Sequence, residues 1–283
     1  MLSYRHCYHA GNHADVFKHI VAMLVIKKLK AKEKPFIYID THCGSGLYDL
    51  GSEETMKRSE FLSGIGKLLQ HEKDFPELED YFSLISTMNP GNRLIWHPGS
   101  PRLAAHLLRK QDHIILMELH NSEIGDLREN MHGDKRIEIH HRDGFEGLIG
   151  ILPPDPARGL VLIDPAYEVK EDYKRVVSCL QEAYRRWPTG IYAIWYPLLS
   201  SQRDLSSTML QQLARGNFKN ILVAEITVCE QQKDFGMHGS GMAIINAPWM
   251  LDLQLTELLP RLTGILALDS TARWKVVWKI SPA

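Results

Sequence analysis

Cysteine is scarce in this chain of 283 residues, and none of its four cysteines forms a Cys-x-x-Cys pair. This scatter argues against a disulfide framework and against a zinc site, and it suits a reducing compartment. Histidine, by contrast, occurs 14 times. His9 and His13 lie four positions apart, but no His-Glu-x-x-His motif accompanies them. We therefore expect that the protein binds no metal ion.

The sequence also lacks a long apolar run and an excess of charge. The longest apolar stretch near its beginning, residues 20–26, is far too short to cross a bilayer, and the polar segment before it does not resemble a signal peptide. The formal net charge of −1 gives no overall signature of nucleic-acid binding, so such binding would need a local basic patch. We expect a cytoplasmic monomer with no membrane partner.

Short apolar segments alternate with helical patterns along most of the chain. An amphipathic helix with lysines at its end is predicted for residues 14–32. This alternation predicts a doubly wound, largely parallel α/β sheet. Residues 242–251, a helix and residues 274–280 suggest a closing pair of strands. The other predicted strands are residues 35–40, 113–119, 136–141, 159–165, 190–197 and 220–228.

A glycine-containing turn, DTHCGSG, runs from Asp40 to Gly46 after the first predicted strand. Small residues such as Gly44 let the backbone approach a ligand closely at the carboxyl end of a sheet. The turn has neither the Gly-x-Gly-x-x-Gly spacing of dinucleotide enzymes nor a phosphate-binding loop. It therefore favours a nucleoside ligand without a pyrophosphate, such as S-adenosylmethionine.

Acidic residues follow the next two predicted strands. Glu118 ends one of them and could accept both hydroxyls of a ribose, whereas Asp143 follows the other and could accept a hydrogen from an adenine amino group. In related folds the ribose-binding acid follows the glycine turn by about 20 residues, but Glu118 lies 72 residues after Gly46. The excess has helical periodicity. We expect residues 53–94 to form a small insertion between residues 1–52 and 95–283, which build the main domain.

The segment LVLIDPAY places Asp164, Pro165 and Tyr167 at the end of another predicted strand. It is similar to the (Asp/Asn/Ser)-Pro-Pro-(Tyr/Phe/Trp) signature of amino-group methyltransferases. The N6 of adenine is a poor nucleophile because its lone pair is delocalised into the ring. The Asp164 carboxylate and the Pro165 carbonyl could accept its hydrogens, orient it and stabilise the developing positive charge. Tyr167 is expected to stack on the extruded base.

The sequence departs from this signature at Ala166, where proline is usual, so the loop loses some rigidity. A second segment, Asn246-Ala-Pro-Trp249, also resembles the signature. It follows the sixth strand-like run, on a strand predicted to close the sheet, and tail strands of such sheets lie away from the cofactor crevice. We therefore favour Asp164.

Seven segments together resemble the RlmJ family of bacterial 23S ribosomal RNA adenine-N6 methyltransferases: SYRHCYHAGNHADVFKH, DTHCGSG, HPGSP, MELH, RDGF, DPAY and IWYP. The resemblance runs nearly end to end, and the first segment is its most specific part. It implies a Rossmann-like S-adenosylmethionine-dependent methyltransferase fold with a small helical insertion. It also implies catalysis by Asp164 and contact of Tyr4 with RNA. Around the methyl donor it places His19, His42, Ser100, Glu118, Asp143 and Gly144.

The roles of several of these residues can also be predicted from their own chemistry and position. Lys18 and His19 lie on the first predicted helix, where they could reach the methionine carboxylate of the donor. Ser100 precedes a helical pattern and is placed like an N-cap whose neighbouring amides bind anions. Near the beginning of the chain, an RNA-facing patch of aromatic and basic side chains is predicted from Tyr4, Arg5, His6 and Lys18.

Two other functions remain open at this stage. A DNA adenine methyltransferase would use the same catalytic loop, because a flipped adenine looks alike in both nucleic acids, and contacts to the 2′-hydroxyl decide between them. The absence of a recognisable duplex-reading module favours RNA. A catalytically silent RNA-binding protein is the third hypothesis, prompted by Ala166. The intact Asp164 and Tyr167 argue against it.

Overall fold

A computed structural model describes residues 6–91 and 93–282 of the chain. Tyr4 and Arg5, which are predicted to contact RNA, lie outside these residues. The strands are β1 (Ile37–Asp40), β2 (Leu47–Asp49), β3 (Trp96–Pro98), β4 (His113–Glu118), β5 (Ile137–His141), β6 (Gly159–Ile163), β7 (Ile191–Leu199), β8 (Ile221–Thr227), β9 (Met237–Ile245) and β10 (Arg273–Ile280). The α-helices are α1 (His13–Lys30), α2 (Glu53–Met56), α3 (Ile65–Leu69), α4 (Glu79–Met88), α5 (Ser100–Leu107), α6 (Asn121–Asn130), α7 (Gly144–Ile151), α8 (Lys170–Arg186), α9 (Ser206–Ala214) and α10 (Leu251–Leu266).

Eight strands form one sheet in the order β10-β8-β9-β7-β6-β1-β4-β5. Strands β5, β4, β1, β6 and β7 are mutually parallel, whereas β9 runs antiparallel to both of its neighbours, β7 and β8. The chain moves from β1 outward to β4 and β5 and then returns to place β6 on the other side of β1. The carboxyl ends of β1 and β6 therefore border the point at which the strand order reverses, where ligands bind in such sheets.

The sheet separates two apolar cores. One core contains buried side chains of α1, α5, α6 and α10, and the other contains those of α7, α8 and α9. Strand β1 supplies both, because Tyr38 belongs to the first core and Ile37 and Ile39 to the second. This alternation follows from the two-residue period of a strand. The predicted doubly wound α/β architecture is confirmed.

Helix α1 is not amphipathic, so this part of the prediction is wrong. Asn12 caps its first turn by accepting hydrogen bonds from the amides of Ala14 and Asp15, and lysines occupy its last turn as predicted. None of its residues is exposed. The helix is covered because it packs against β6, β7 and β9 on one side and against α5 and α10 on others. A helix enclosed in this way is apolar around most of its circumference.

The expected helical insertion is present between the first and second strands of the main sheet. Helices α2, α3 and α4 occupy it, and the apolar side chains of Phe61, Ile65 and Leu68 join the core that contains α1. The short strands β2 and β3 pair antiparallel at its two ends, with Leu47 opposite Pro98. This pairing returns the chain to the glycine turn, where the amide of Gly99 donates to the carbonyl of Gly46 at 3.0 Å. The exact limits of a separate unit stay a prediction.

The two C-terminal strands do not pair with each other, contrary to the prediction. Strand β9 inserts between β7 and β8, while β10 pairs antiparallel with β8 at the sheet edge. Strand β9 carries Met242, Ala243, Ile244 and Ile245, all fully buried, and such an apolar run suits an interior strand covered on both faces. Within the described ranges, no helix combines the length and the apolar character needed to cross a membrane.

Candidate active site

An open cleft lies at the carboxyl ends of β1, β4, β5 and β6. It is the place that the strand order predicts for a ligand. Every residue predicted to hold the methyl donor lines it, together with part of the predicted catalytic loop. These lining residues are Lys18, His19, His42, Gly44, Ser100, Glu118, Asp143, Gly144, Asp164 and Pro165. His6, which is predicted to face RNA, lines the cleft as well.

Two glycines keep the floor of the cleft open. Gly44 has a φ of +58°, in the left-handed region, and a Cβ there would lie 2.2 Å from the Tyr48 hydroxyl. Gly144 begins α7, and a Cβ there would lie 2.0 Å from the Thr41 carbonyl oxygen. Both positions therefore need glycine if the turn after β1 and the start of α7 are to approach each other and a ligand.

The Glu118 carboxylate is held by the backbone at the end of β4. Its Oε2 accepts a hydrogen bond from the Gly44 amide at 2.8 Å, and its Oε1 accepts one from the His120 amide at 2.7 Å. Each carboxylate oxygen has two lone pairs, so both retain an acceptor position. The carboxylate is thus fixed beside the glycine turn and can still accept the two hydroxyls of a ribose.

Asp143 follows β5 and caps α7. Its Oδ1 accepts hydrogen bonds from the amides of Phe145 and Glu146, and its Oδ2 accepts one from Arg175 at 2.7 Å. Burial raises the pKa of Asp143, but the Arg175 guanidinium and the capping amides outweigh it and leave this pKa below its usual range. The carboxylate is therefore ionised and lies at the edge of the cleft.

Ser100 lies at the base of the cleft beside the buried carboxylate of Asp40. Its Oγ donates to Asp40 Oδ2 at 2.6 Å, and the Tyr38 hydroxyl donates to the same oxygen at 2.8 Å. Burial raises the pKa of Asp40 to about 6. Ser100 is the first residue of α5, and Gly99 occupies the N-cap. The predicted capping role of Ser100 is therefore wrong, because its hydroxyl is bonded to Asp40 instead.

Asp164 lies directly after β6 and contacts Lys18 on α1. The Lys18 ammonium lies 2.5 Å from Asp164 Oδ2 and 2.9 Å from Asp15 Oδ1, and all three side chains are largely buried. Burial raises the pKa of Asp164, while Lys18 opposes this rise. Burial lowers the pKa of Lys18, but the two carboxylates outweigh it, so the ammonium stays charged. Lys18 thus bonds both Asp15 and Asp164, and its contact with a donor carboxylate stays a prediction.

His19 lines the cleft with an uncharged ring. It is 1% exposed, and burial lowers its pKa well below the usual value. Its Nε2 has no hydrogen-bond partner among residues 6–91 and 93–282. A buried polar atom without a partner is rare and indicates a missing ligand or water. His42, nearby, has its pKa lowered to about 4 by burial, and its ring lies edge-on against Phe145.

Comparisons with known proteins identify the family of the chain. A family model described as "Ribosomal RNA large subunit methyltransferase D, RlmJ" matches residues 33–280. The chain belongs to the RlmJ family. Proteins named ribosomal RNA large subunit methyltransferase J from Haemophilus influenzae and Escherichia coli are each 45% identical to it, over 98% of this chain and 99% of theirs. The crystal structure of protein LPL1258 from Legionella pneumophila is 33% identical, covers 95% of this chain and 98% of its own, and has a TM-score of 0.87.

Tyr167, which is predicted to stack on the target base, is instead buried in the protein. It is 4% exposed, and its hydroxyl donates to the Trp195 carbonyl at 2.8 Å. Its ring packs against Tyr173, with ring centroids 4.5 Å apart. The prediction that Tyr167 stacks on the target base is wrong for this conformation, since the ring is buried within the core. Its φ of +51° instead shapes the loop that presents Asp164 and Pro165 to the cleft.

The second signature-like segment, Asn246 to Trp249, lies at the amino ends of the parallel strands, opposite the cleft. Ile245, the residue before Asn246, pairs with Tyr192 at the beginning of β7. The Asn246 side-chain amide donates to the carbonyls of Pro188 and Gly190. Asn246 is therefore remote from the cleft. The reason differs from the predicted one, because β9 is an interior strand that runs antiparallel and ends at the amino edge.

Three residues to which the sequence analysis assigned no role hold site residues in place: Arg175, Asp15 and Asp40. Arg175 bonds Asp143 and lies over the Phe145 ring, with 4.5 Å between its guanidinium carbon and the ring centroid. Asp15 accepts hydrogen bonds from the Gly11 amide and from His6. A sequence signal existed for Asp40, since it opens the glycine turn. None existed for the other two, because a single charged residue on a helix is usually solvated.

Proposed function

We propose that the protein transfers a methyl group from S-adenosylmethionine to the N6 of an adenine in 23S ribosomal RNA. One observation carries the proposal. The glycine turn, two backbone-held carboxylates and the Asp164-Pro165 loop all face one cleft in a chain of the RlmJ family. The named relatives are large-subunit ribosomal RNA methyltransferases, which supports ribosomal RNA over DNA as substrate.

The cleft fits the methyl donor by its own chemistry. Glu118 would hold the ribose hydroxyls. Asp143, whose carboxylate also bonds Arg175, would accept a hydrogen from the adenine amino group. The unpartnered Nε2 of His19 and the amides at the start of α5, beside Ser100, would meet the methionine part. His42, Gly44 and Gly144 complete the wall. When bound, the donor supplies an electrophilic methyl group on a sulfonium, whose departure leaves a neutral thioether.

Asp164 and Pro165 would orient the target amine. Oδ2 of Asp164 is bonded to Lys18, so Oδ1 can accept one N6 hydrogen while the Pro165 carbonyl accepts the other. These contacts align the nitrogen lone pair and stabilise the positive charge that develops on the amine. Lys18 opposes the rise in the pKa of Asp164 that burial and the neighbouring Asp15 carboxylate produce. We further propose that Tyr4 and Arg5 contact RNA, with His6 linking that segment to Asp15.

All proposed roles lie on one chain and none needs a metal ion, so we propose a monomer that acts in the cytoplasm, where ribosomal RNA is found. The test is to delete the gene and map N6-methyladenine across the ribosomal RNA of the deletion and parental strains. Loss of one N6-methyladenine from 23S RNA, restored by the parental gene, is expected. Unchanged ribosomal RNA together with lost DNA methylation would identify a DNA enzyme instead.

A further inference from the structure

Two loops beside the active-site cleft are joined into one projection. The loop after β7, residues 200–205, and the loop after β8, residues 228–236, bond through their backbones. The Ser200 amide donates to Gly236, that of Ser201 to Gln232 and that of Gln202 to Lys233, at 3.0, 3.0 and 3.2 Å. We call these two segments the paired loops. The bonding means that their exposed side chains are presented by an ordered backbone.

The paired loops lie at the carboxyl ends of the parallel strands, the same end of the sheet as Asp164. Strand β7 is parallel to β6, and β8 has the same direction because both β7 and β8 run antiparallel to β9. Arg203 and Asp204 are near enough to Tyr173 to affect its pKa, which is raised mainly by burial. Tyr173 packs in turn on Tyr167 of the catalytic loop. The paired loops and the catalytic loop therefore flank the same packed aromatic pair.

The surface of the paired loops combines an aromatic ring with two available cations. Phe235 is 73% exposed. Arg203 and Lys233 are exposed and form no ion pair with any residue in the two described ranges. Asp204, adjacent to Arg203, is occupied by the amides of Leu199 and Ser206.

A lone exposed phenylalanine needs no explanation by itself. Phe235, however, shares an ordered loop with Lys233, a cation without an ion pair among the described residues, and this loop lies at the same end of the sheet as Asp164. Glu230 and Asp234 are also exposed, so the surface is not broadly basic. It offers contact to one or two phosphates and one base rather than to a duplex backbone.

We propose that the paired loops bind the RNA strand beside the target adenine, with Phe235 stacked on a neighbouring unpaired base and Arg203 and Lys233 on phosphates. Extruding a base leaves its neighbours unstacked, and an aromatic side chain restores a stacking partner without sequence preference. The inference rests on the proposed function and adds to it the position of the bound strand.

The first experiment compares two exposed aromatic side chains at opposite edges of the sheet. Phe235→Ala is expected to raise KM for a 23S RNA fragment about tenfold, with kcat and binding of S-adenosylhomocysteine unchanged. Trp249 is the matched control, since it is 85% exposed and follows β9 at the amino edge. Trp249→Ala is expected to behave like the parental protein.

The second experiment tests the cations through salt dependence. Arg203→Ala with Lys233→Ala is expected to reduce the slope of log KM against log salt concentration by about one to two. Arg215→Ala with Lys219→Ala removes two exposed cations at the amino ends of the strands and gives the same net charge as the first double variant. That control pair is expected to leave the slope unchanged.

Equal KM values for Phe235→Ala and Trp249→Ala, with normal methylation by the parental protein, would overturn the proposal and leave the proposed function intact. The proposal would also be wrong if Phe235→Ala impaired methylation only of ribonucleoprotein particles, since the loops would then contact a ribosomal protein. Failure of the parental protein to methylate any RNA would overturn the proposed function, and this inference with it.

Discussion

The two sides of the cleft hold their carboxylates by different means. On the side of β4 and β5, Glu118 accepts hydrogen bonds from the amides of Gly44 and His120, and Asp143 caps α7 and also bonds Arg175. On the side of β6, Asp164 is largely buried, and the side chain that most opposes the resulting rise in its pKa is Lys18. A carboxylate bonded to backbone amides is positioned by the fold itself. A carboxylate bonded to a buried cation depends on a local balance of charge, which one substitution changes.

The largest effect on the methylation rate is expected from substituting Asp164, on the β6 side of the cleft. Asp164→Ala should reduce the methylation rate by about a hundredfold to a thousandfold, because a developing charge loses its preorganised partner. Binding of S-adenosylhomocysteine should persist, since Glu118 and Asp143 are untouched. Single-turnover assays on a 23S RNA fragment and calorimetry would measure the two quantities.

Asp164→Asn keeps an acceptor oxygen without the charge and should retain partial activity. Asn246→Ala is the control, since Asn246 lies at the opposite edge of the sheet. Near-parental methylation by Asp164→Ala alongside a severe loss in Asn246→Ala would show that the wrong loop had been assigned.

Lys18→Met tests how Asp164 is kept ionised. Burial raises the pKa of Asp164 and Lys18 opposes the rise, so removing Lys18 should raise this pKa further. The ionised form exists above the pKa, so the acid limb of the pH–rate profile should move to higher pH. On the acid limb, where Asp164 is protonated, the rate should fall about tenfold for each pH unit, so Lys18→Met should be slower than the parental protein at the same acid pH.

Recovery of Lys18→Met activity at alkaline pH would distinguish this effect from simple misfolding. Lys28→Met, in the last turn of the same helix, should leave the profile unchanged. If Lys18→Met instead weakened donor binding and left the profile in place, Lys18 would bind the methionine carboxylate, as its position in the sequence first suggested.

Glu118→Ala tests the β4 side of the cleft, where backbone amides hold the carboxylate. It should weaken binding of S-adenosylhomocysteine by about 1–3 kcal/mol, because the ribose hydroxyls lose a charged acceptor. The rate at saturating donor should change little. Glu118→Gln should recover part of the affinity through its remaining oxygen. Titration calorimetry that gave one affinity for all three proteins would remove Glu118 from the donor site.

Ala166→Pro is expected to have the smallest effect. A proline at this position would stiffen Pro165 in an extended conformation. No backbone hydrogen bond from the Ala166 amide occurs within the described residues, so none would be lost. Methylation should stay equal or increase up to about threefold. A marked decrease in single-turnover rate would show that Ala166 is needed for the loop geometry that the left-handed Tyr167 imposes.

The alternation of strands and helices in the main sheet, the glycine turn and the positions of Glu118, Asp143 and Asp164 at strand ends were predictable from the sequence. Each is encoded locally. Apolar periodicity reports burial, and a residue that follows a buried parallel strand must emerge at the carboxyl edge whatever else the chain does. The RlmJ resemblance was readable for the same reason, because its motifs are contiguous segments.

Only the tertiary structure decided which partners these residues have. Lys18 meets Asp164 across 146 positions of sequence, and Arg175 meets Asp143 across 32. The local pattern around a lysine on a helix is the same whether its ammonium is solvated or held between two carboxylates. The burial of Tyr167 and the insertion of β9 between β7 and β8 likewise depend on contacts between distant segments. Those contacts set the charge of the site, whereas the sequence alone determined its place in the fold.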